Sequence, residues 1–393
     1  VLTRKALFLF MISKRFGFIA ALILLGFSCK SISPKKNSKL TATLEPSAQG
    51  AVIALEDPTK LEVMEPLSAG NFETLRLAFY NLENLFDTID GPNDDAEYLP
   101  QSSRQWNSEK YLNKLQNMAR VIDSLQPHIL GVCEVENLQV LEDLKKHSSW
   151  LSLAYANIVH QESPDKRGID VALFYTPEWA FYGAEGVHLD GNSDKIVFEG
   201  NLLEVSTGNP DKPTRGILHA TFRRYDQQFT VFVNHWPSRG GGEANTRPLR
   251  FNAAKTLKSY LNNHPEITHW VAMGDFNDNP EDSSLLYVLE AGGPNNFAVN
   301  LAYELRKMKP EWGTGLYRGK WDMFDQIIIS RTFYHLGPNA PIPSLEIYKR
   351  DWLLQSEGKY QGHPFRTFGG KLYLNGYSDH LPVQANLYIL TPQ

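Results

Sequence analysis

The stretch Val271-Ala272-Met273-Gly274-Asp275-Phe276-Asn277 decides how this chain is read. Trp270 to Met273 is a short apolar run, which reads as a buried strand. Gly274 lets the backbone turn tightly. Asp275 and Asn277 follow two residues apart, a spacing that puts both side chains on one face of an extended strand end. Asp278-Asn279-Pro280 closes the stretch as a turn. A buried strand delivering a carboxylate and a carboxamide to one point suits a metal or phosphate site. Gly, Asp and Asn are also ordinary turn residues, so the rest of the chain has to decide.

Outward from that strand, apolar runs repeatedly end in polar groups. Leu75 to Tyr80 is a strand running into Asn81-Leu82-Glu83-Asn84, and His128 to Val135 another ending at Glu134 and Glu136. Ile169 to Tyr175 is entered through Arg167-Gly168 and carries Asp170 at its start. Gly216 to Phe222 and Gln228 to Asn234 form a predicted hairpin turned at Tyr225-Asp226, with His235-Trp236 after it. Met323 to Ile329 holds Asp325, and Ser378-Asp379-His380 precedes the last strand, Val383 to Leu390. Helices fill the intervals. Ser108 to Leu125 repeats Tyr111, Leu115, Met118, Ile122 and Leu125 at helical spacing; Asn137 to His147 and Glu243 to Asn263 are two more, and a short one starts at Ser283. Strands alternating unevenly with helices, many hairpin-connected, indicate α+β layers.

With 393 residues, 42% of them hydrophobic, the chain can bury a large core. The amino terminus reads as a targeting segment: Lys14-Arg15, an apolar run from Phe16 to Phe27, then Ser28-Cys29. The run is short for a spanning helix, which needs roughly 20 apolar residues. Cys29 sits where a bacterial lipoprotein signal is cleaved and lipidated; simple secretion and an uncleaved anchor are the other outcomes. Residues 30–73, rich in Ser, Pro, Lys, Thr and Ala, read as a tether, with residues 51–55 as a docking piece, and 74–393 as one domain. Cys29 and Cys133 are the two cysteines, so a lipidated or removed Cys29 leaves no internal disulfide. Without Arg4, Lys5, Lys14 and Arg15, 35 of the 39 basic residues remain against 44 acidic ones. That balance excludes gripping nucleic acid by bulk charge and leaves room for a local basic groove.

The chemistry that fits the strand ends is attack by water on a phosphate ester. A hard divalent cation needs oxygen ligands: Glu134 supplies one, and Asn81 and Asp379 add to the shell. His235, His380 and Asn277 are donors for the charge that develops on phosphorus. Asp275 is an acceptor for the proton of the attacking water. Asp170 and Asp325 are candidate partners for the imidazoles. Neither Cys/His spacing for zinc nor a Gly-x-Ser-x-Gly elbow occurs, and Gly240 to Gly242 lacks the Lys-Ser/Thr of a Walker loop.

Taken in order, Phe79-Tyr80-Asn81, Gly131-Val132-Cys133-Glu134-Val135, Asn234-His235-Trp236, Gly274-Asp275-Phe276-Asn277, Asp325-Gln326-Ile327-Ile328 and Ser378-Asp379-His380 resemble the endonuclease/exonuclease/phosphatase superfamily over about Leu75 to Leu390. The resemblance implies a deoxyribonuclease I-like fold, a four-layer α/β/β/α sandwich of two mixed sheets flanked by helices, and dependence on Mg²⁺ or Mn²⁺. By residue it implies a metal-binding Glu134 with Asn81 beside it, a water-orienting Asp275 and a phosphate-contacting Asn277. His380 is implied as the terminal histidine, paired with Asp325 and adjoining the acid Asp379. His235 with Asp170 is implied as the second histidine–carboxylate pair. Cys133 departs from the pattern, where Gln usually precedes the glutamate.

His235 to Arg239 with Arg167 to Asp170 look most like the exported bacterial branch described as predicted extracellular nucleases. Arg167 and Arg239 are phosphate contacts or surface arginines, and Trp236 either stacks on a base or packs in the core. The expectation is an exported, monomeric phosphodiesterase acting as a nuclease on DNA or RNA, with Cys29 as a lipid anchor on the outer surface or in the periplasm. An enzyme for a small phosphoester or lipid headgroup and a non-catalytic surface binding lipoprotein are the alternatives.

Overall fold

In the structure, a computed structural model, residues 53–57, 60–63, 72–153, 156–177, 180–181, 197–199, 201–337 and 339–392 are described. The basic–apolar leader, Cys29 and most of the expected tether lie outside them. Within that tether stretch, Ile53–Asp57 pairs with Lys60–Val63 as a small antiparallel hairpin.

The chain first lays down β1 (Phe72–Leu85), β2 (Ile129–Val135), β3 (Asn157–His160) and β4 (Asp170–Tyr175). It continues with β5 (Ile217–Arg224), β6 (Gln227–His235), β7 (Trp270–Asp275), β8 (Ala298–Asn300) and β9 (Asp325–Ser330). It ends with β10 (Leu345–Ile347) and β11 (Val383–Leu390). One sheet runs β10-β11-β1-β2-β4-β3 with Val197–Glu199 at its edge; the other runs β8-β9-β7-β6-β5 with short strands at both ends. Both are mixed: β1 and β2 pair in parallel, as do β6 and β7, while β7–β9 and β1–β11 are antiparallel.

The two-residue period of the strands explains the layering. Val271 and Met273 belong to the core between the sheets, while Trp270 and Ala272 face a separate apolar layer. Ile327 and Ile329 against Ile328, and Val231 and Val233 against Phe232, repeat the alternation. Strands buried on both faces read as continuous apolar runs, as Trp270 to Met273 does. Gly131 sets the sheet spacing: a Cβ there would stand 3.0 Å from Met273 Sδ and 3.2 Å from the Phe79 ring.

Helices cover the outer faces and complete the expected four-layer α+β sandwich. α1 (Ser108–Leu125) buries Leu115, Met118, Ile122 and Leu125. Asn107 caps its first turn by accepting from the Lys110 N–H, and Gln126 ends it in the left-handed region at φ 48°. α2 (Leu138–His147), capped by Asn137, lies beside it. On the far side, α3 (Glu243–Asn263) buries Ala253, Ala254, Leu257 and Leu261 against the outer face of the second sheet.

Two local expectations differ from the structure. Gly274 is within β7, not in a turn. A Cβ there would meet the Asn234 carbonyl oxygen at 2.2 Å, so glycine is required by the approach of β6. The extended strand stops at Asp275, and Asn277 sits at φ 50°. The two side chains therefore do not share a strand face; the Asn277 N–H instead folds back to Asp275 Oδ1 at 3.0 Å.

Candidate active site

The register of the second sheet assembles half of the site. His235 on β6 pairs with Asp275 on β7, and Asp275 with Asp325 on β9. All three continue the inward-facing alternation of Val231 and Val233, Val271 and Met273, Ile327 and Ile329. An imidazole and two carboxylates thus stand in a row on the inner face at one end of the sheet. Across the interlayer, Asn81 on β1 pairs with Cys133 on β2.

Glu134 follows Cys133 and by strict alternation would point outward. The pairing slips between Asn81 and Leu85 and between Cys133 and Val135, and Glu134 adopts φ 60°. This bulge re-aims the carboxylate inward. Glu83 and Asn84, at φ 49° and 53°, share the distortion. A non-glycine residue held in this region costs on the order of 1–2 kcal/mol, which the surrounding packing must offset.

The two halves meet through Asn81. Its amide nitrogen donates to Glu134 Oε1 at 3.2 Å and to Asp275 Oδ2 at 3.1 Å. The Asn84 N–H donates to Glu134 Oε2 at 3.0 Å, and the Glu83 N–H to Asn81 Oδ1 at 2.9 Å. His235 Nε2 is 3.7 Å from both Glu134 Oε1 and Asp275 Oδ2. His380 places Nδ1 2.6 Å from Asp325 Oδ2 and Nε2 3.9 Å from Asp275 Oδ2. Ser378 fixes this last loop by donating to the Asn81 carbonyl while accepting from the His380 N–H.

Burial and charge act in opposite directions here. Burial pushes the Asp275 carboxyl up; His380 pulls it down and Asp325 adds to the rise, leaving it at about 7. Burial alone would depress the His380 pKa, but Asp325 and Asp275 outweigh it and hold it well above the ordinary value. His235 goes the other way: burial, then the Arg215 guanidinium, push it well below the ordinary range.

Glu134, His235 and Asp275 each bring one donor atom to within 4.8 Å of the others, as do Asp275, Asp325 and His380. Two carboxylate oxygens converge on one neutral amide in a buried setting, an arrangement that favours a positive charge between them. An oxygen-rich set with one imidazole matches a hard divalent cation. The residues fit the ion the resemblance implies, with Glu134, Asp275 and His235 as its holders; Asn81, expected among them, instead turns its amide nitrogen to both carboxylates and spends its oxygen on the Glu83 N–H, so it positions the two acids.

Other expected site residues are placed differently. Asp170 does not serve His235: its Oδ2 is 2.9 Å from His160 Nε2, and its Oδ1 accepts from the Ser163 N–H. The buried Nδ1 of His235 meets no hydrogen-bond partner among the described residues. Asp379 stands outside the converging donors, its Oδ2 3.0 Å from Arg366 Nη2. Asn277 donates its side-chain amide to the Trp236 carbonyl at 3.0 Å.

Trp236 is 1% exposed, donates Nε1 to Asn234 Oδ1 and packs edge-on against Phe276, so it is a core residue and offers no stacking face. Arg239 is committed to the Asn277 carbonyl, Asp278 and Asp282, and so braces the turn after β7 instead of contacting phosphate. Arg167 remains 53% exposed beside Asp165 at 3.4 Å.

Sequence reading missed a buried charge network. Lys114 donates to Thr367 Oγ1 and the Tyr377 carbonyl. Glu83 accepts from Arg366 Nε at 2.9 Å and the Thr367 N–H at 2.8 Å, and Arg366 continues to Asp379. A signal was present: Lys114 lies three residues after Tyr111 and four before Met118, on the apolar stripe of α1. Arg215, which joins Asp165 to the Trp236 carbonyl, and Arg250, 2.7 Å from Asp278, are likewise buried and gave no pattern.

Solved structures to which the chain is similar include humanized D. rerio TDP2 carrying 14 mutations, at 13% identity over 80% of this chain and 98% of that one, TM-score 0.49. Another is an endonuclease/exonuclease/phosphatase family protein from Bacteroides thetaiotaomicron, at 17% identity over 82% and 100%, TM-score 0.48. The human Nocturnin catalytic domain is a third, at 16% over 82% and 98%, TM-score 0.46. No curated protein matches the chain. The model of the Endonuclease/Exonuclease/phosphatase family matches residues 76–389, which span every strand of both sheets that contributes to the site. The chain therefore belongs to the endonuclease/exonuclease/phosphatase family.

Proposed function

We propose that this chain is a phosphodiesterase dependent on Mg²⁺ or Mn²⁺, acting as a nuclease on DNA or RNA, from the exported bacterial branch of its family. The observation that carries the catalytic part is the convergence of Asn81, Glu134, His235, Asp275 and the His380–Asp325 pair at one end of two facing sheets.

A bound divalent ion supplies Lewis-acid polarisation of a phosphoryl oxygen. Asp275 accepts the proton of the attacking water, and Asn81 holds its carboxylate in place. His380, kept protonated by Asp325, donates a hydrogen bond to the charge developing on the phosphoryl group. His235, neutral at pH 7, supplies a ring nitrogen beside Glu134 and Asp275. The export reading is supported by the leader pattern at Lys14 to Cys29 and carries with it an anchored or secreted location.

The test is incubation with plasmid DNA, RNA and bis(p-nitrophenyl) phosphate, with and without Mg²⁺ or Mn²⁺, beside an Asp275→Ala control. Metal-dependent cleavage of the polymers above the control is expected; cleavage of none of them refutes the reading. The excess of acidic over basic residues favours a second reading, action on a small phosphoester or lipid headgroup. Phosphate release from such substrates with intact polymers would select it.

A further inference from the structure

Beside the cluster of Asn81, Glu134 and Asp275 lies a cavity of about 60 Å³ lined by Glu83, Asn84, Tyr98, Arg104, Arg366 and Phe368. It adjoins the site through Asn84, a wall residue whose N–H holds Glu134 Oε2. Two guanidiniums border it. Arg104 is held between the rings of Tyr98 and Phe368, 5.0 Å from each centroid, and is ion-paired to Glu97 at 2.7 Å, a carboxylate 67% exposed. Arg366 is 45% exposed while anchored to Glu83 and Asp379.

Glu83 and Asp379 balance Arg366 and the buried Lys114, which leaves the Arg104 charge, opposite the exposed Glu97, for a ligand. Both Glu83 carboxylate oxygens are already taken, by Arg366 and by the Thr367 N–H. The aromatic lining is closed: Tyr98, Trp106 and Phe368 are buried, Tyr98 has Phe86 stacked on one side and Arg104 beside it, Trp106 meets Tyr98 edge-on and Phe368 at a tilt, and Arg104 also covers Phe368, which leaves no free face for a base. A volume of about 60 Å³ corresponds to about two waters at roughly 30 Å³ each, room for one compact group. That is the size of a phosphoryl group and too small for a nucleobase.

We propose that this cavity is a subsite for a second phosphoryl group of the substrate, with Arg104 as its specificity-determining residue. Rigid guanidiniums match phosphate oxygens in pairs, and the Tyr98–Phe368 clamp fixes the Arg104 plane in advance. Glu97 is a solvent-exposed stand-in that a phosphoryl group displaces. The proposal rests on the phosphodiesterase reading above and narrows it: the preferred substrate carries a phosphate next to the scissile one, as a nucleic acid strand does and an isolated monoester does not.

The test is a calorimetric titration of the full chain with Mn²⁺ present, using thymidine 3′,5′-bisphosphate and the two thymidine monophosphates. The bisphosphate is expected to bind at least tenfold more tightly than either monophosphate. Arg104→Gln removes that excess and Arg104→Lys restores part of it. Equal affinity of the wild type for mono- and bisphosphate overturns the proposal whatever the variants do, as does an excess that survives Arg104→Gln. Hydrolysis of bis(p-nitrophenyl) phosphate is followed in parallel. Its absence strikes the catalytic reading alone, because the binding comparison is judged independently.

Discussion

The His380 end of the cleft and the His235 end both reach Asp275, at 3.9 and 3.7 Å, yet they are built differently. His380 has Asp325 on Nδ1 at 2.6 Å. Among the described residues His235 has no hydrogen-bond partner on Nδ1, and the carboxylate expected to serve it, Asp170, serves His160. Burial opposes the charged form at both ends. At His380 two carboxylates overcome it; at His235 the nearby guanidiniums reinforce it. One residue type is thus cationic at one end and neutral at the other, and the difference is set by which strand end supplies a carboxylate. A positive donor and a neutral imidazole within reach of one carboxylate is a division of labour suited to phosphoryl chemistry.

The largest effect is expected where the two ends meet. Asp275→Ala should lower kcat on any cleaved diester by on the order of 10³ or more, since it removes the proton acceptor and a neighbour of both histidines. A smaller loss would mean that the two ends do not act on a common centre. Next in size is the contrast between the two aspartates. Asp325→Asn should cost roughly 10²–10³ in kcat, by unpairing His380. Asp170→Asn should cost under about tenfold, because its partner is His160. Equal losses, measured on one substrate at one pH, would break the asymmetry.

His219 offers the burial effect without carboxylates. It packs against Phe232 and Tyr260, away from the site, and burial lowers its pKa from 6.5 to about 4, with His264 adding a little. The folded chain binds this proton less well than the unfolded one. Its contribution is therefore intact above about 6.5, and stability is lost as pH falls toward 4. Thermal melts of His219→Phe from pH 7 to 4 should show a shallower fall than the wild type; parallel curves would remove burial as the common cause. The smallest effect is reserved for Arg167, which contributes to the positive surroundings of His235 from an exposed position. Arg167→Ala should leave stability within about 0.5 kcal/mol of wild type, with any change confined to KM.

What could be read in advance followed from periodicity. The limits of α1, α3 and β11 coincide with the apolar patterns, and Asp170, His235, Asp275 and Asp325 do stand at strand ends, whereas Asn81 lies inside β1 and Asp379 and His380 precede β11. The unread parts depend on tertiary register. Nothing local to Cys133-Glu134 marks the bulge that turns Glu134 inward. Whether Asp170 meets His235 or His160 is decided by which residue pairs with which across β3 and β4. Arg239 and Trp236 had the right composition for a substrate contact and were consumed by structure, Arg239 by three acceptors and Trp236 by the core. Lys114 was the reverse, a charge on an apolar stripe that periodicity had already marked as inward.

The central claim is that Glu134, Asp275 and His235, with Asn81 bridging the two carboxylates, are folded together to hold one divalent ion. It is tested most directly by calorimetric titration of Mn²⁺ into the metal-free chain and into Glu134→Gln, with circular dichroism checking that both are folded. Saturable binding by the wild type, weakened at least tenfold in the variant, is the predicted result. A folded wild type that takes up no Mn²⁺, or a variant that binds it equally well, would contradict the account.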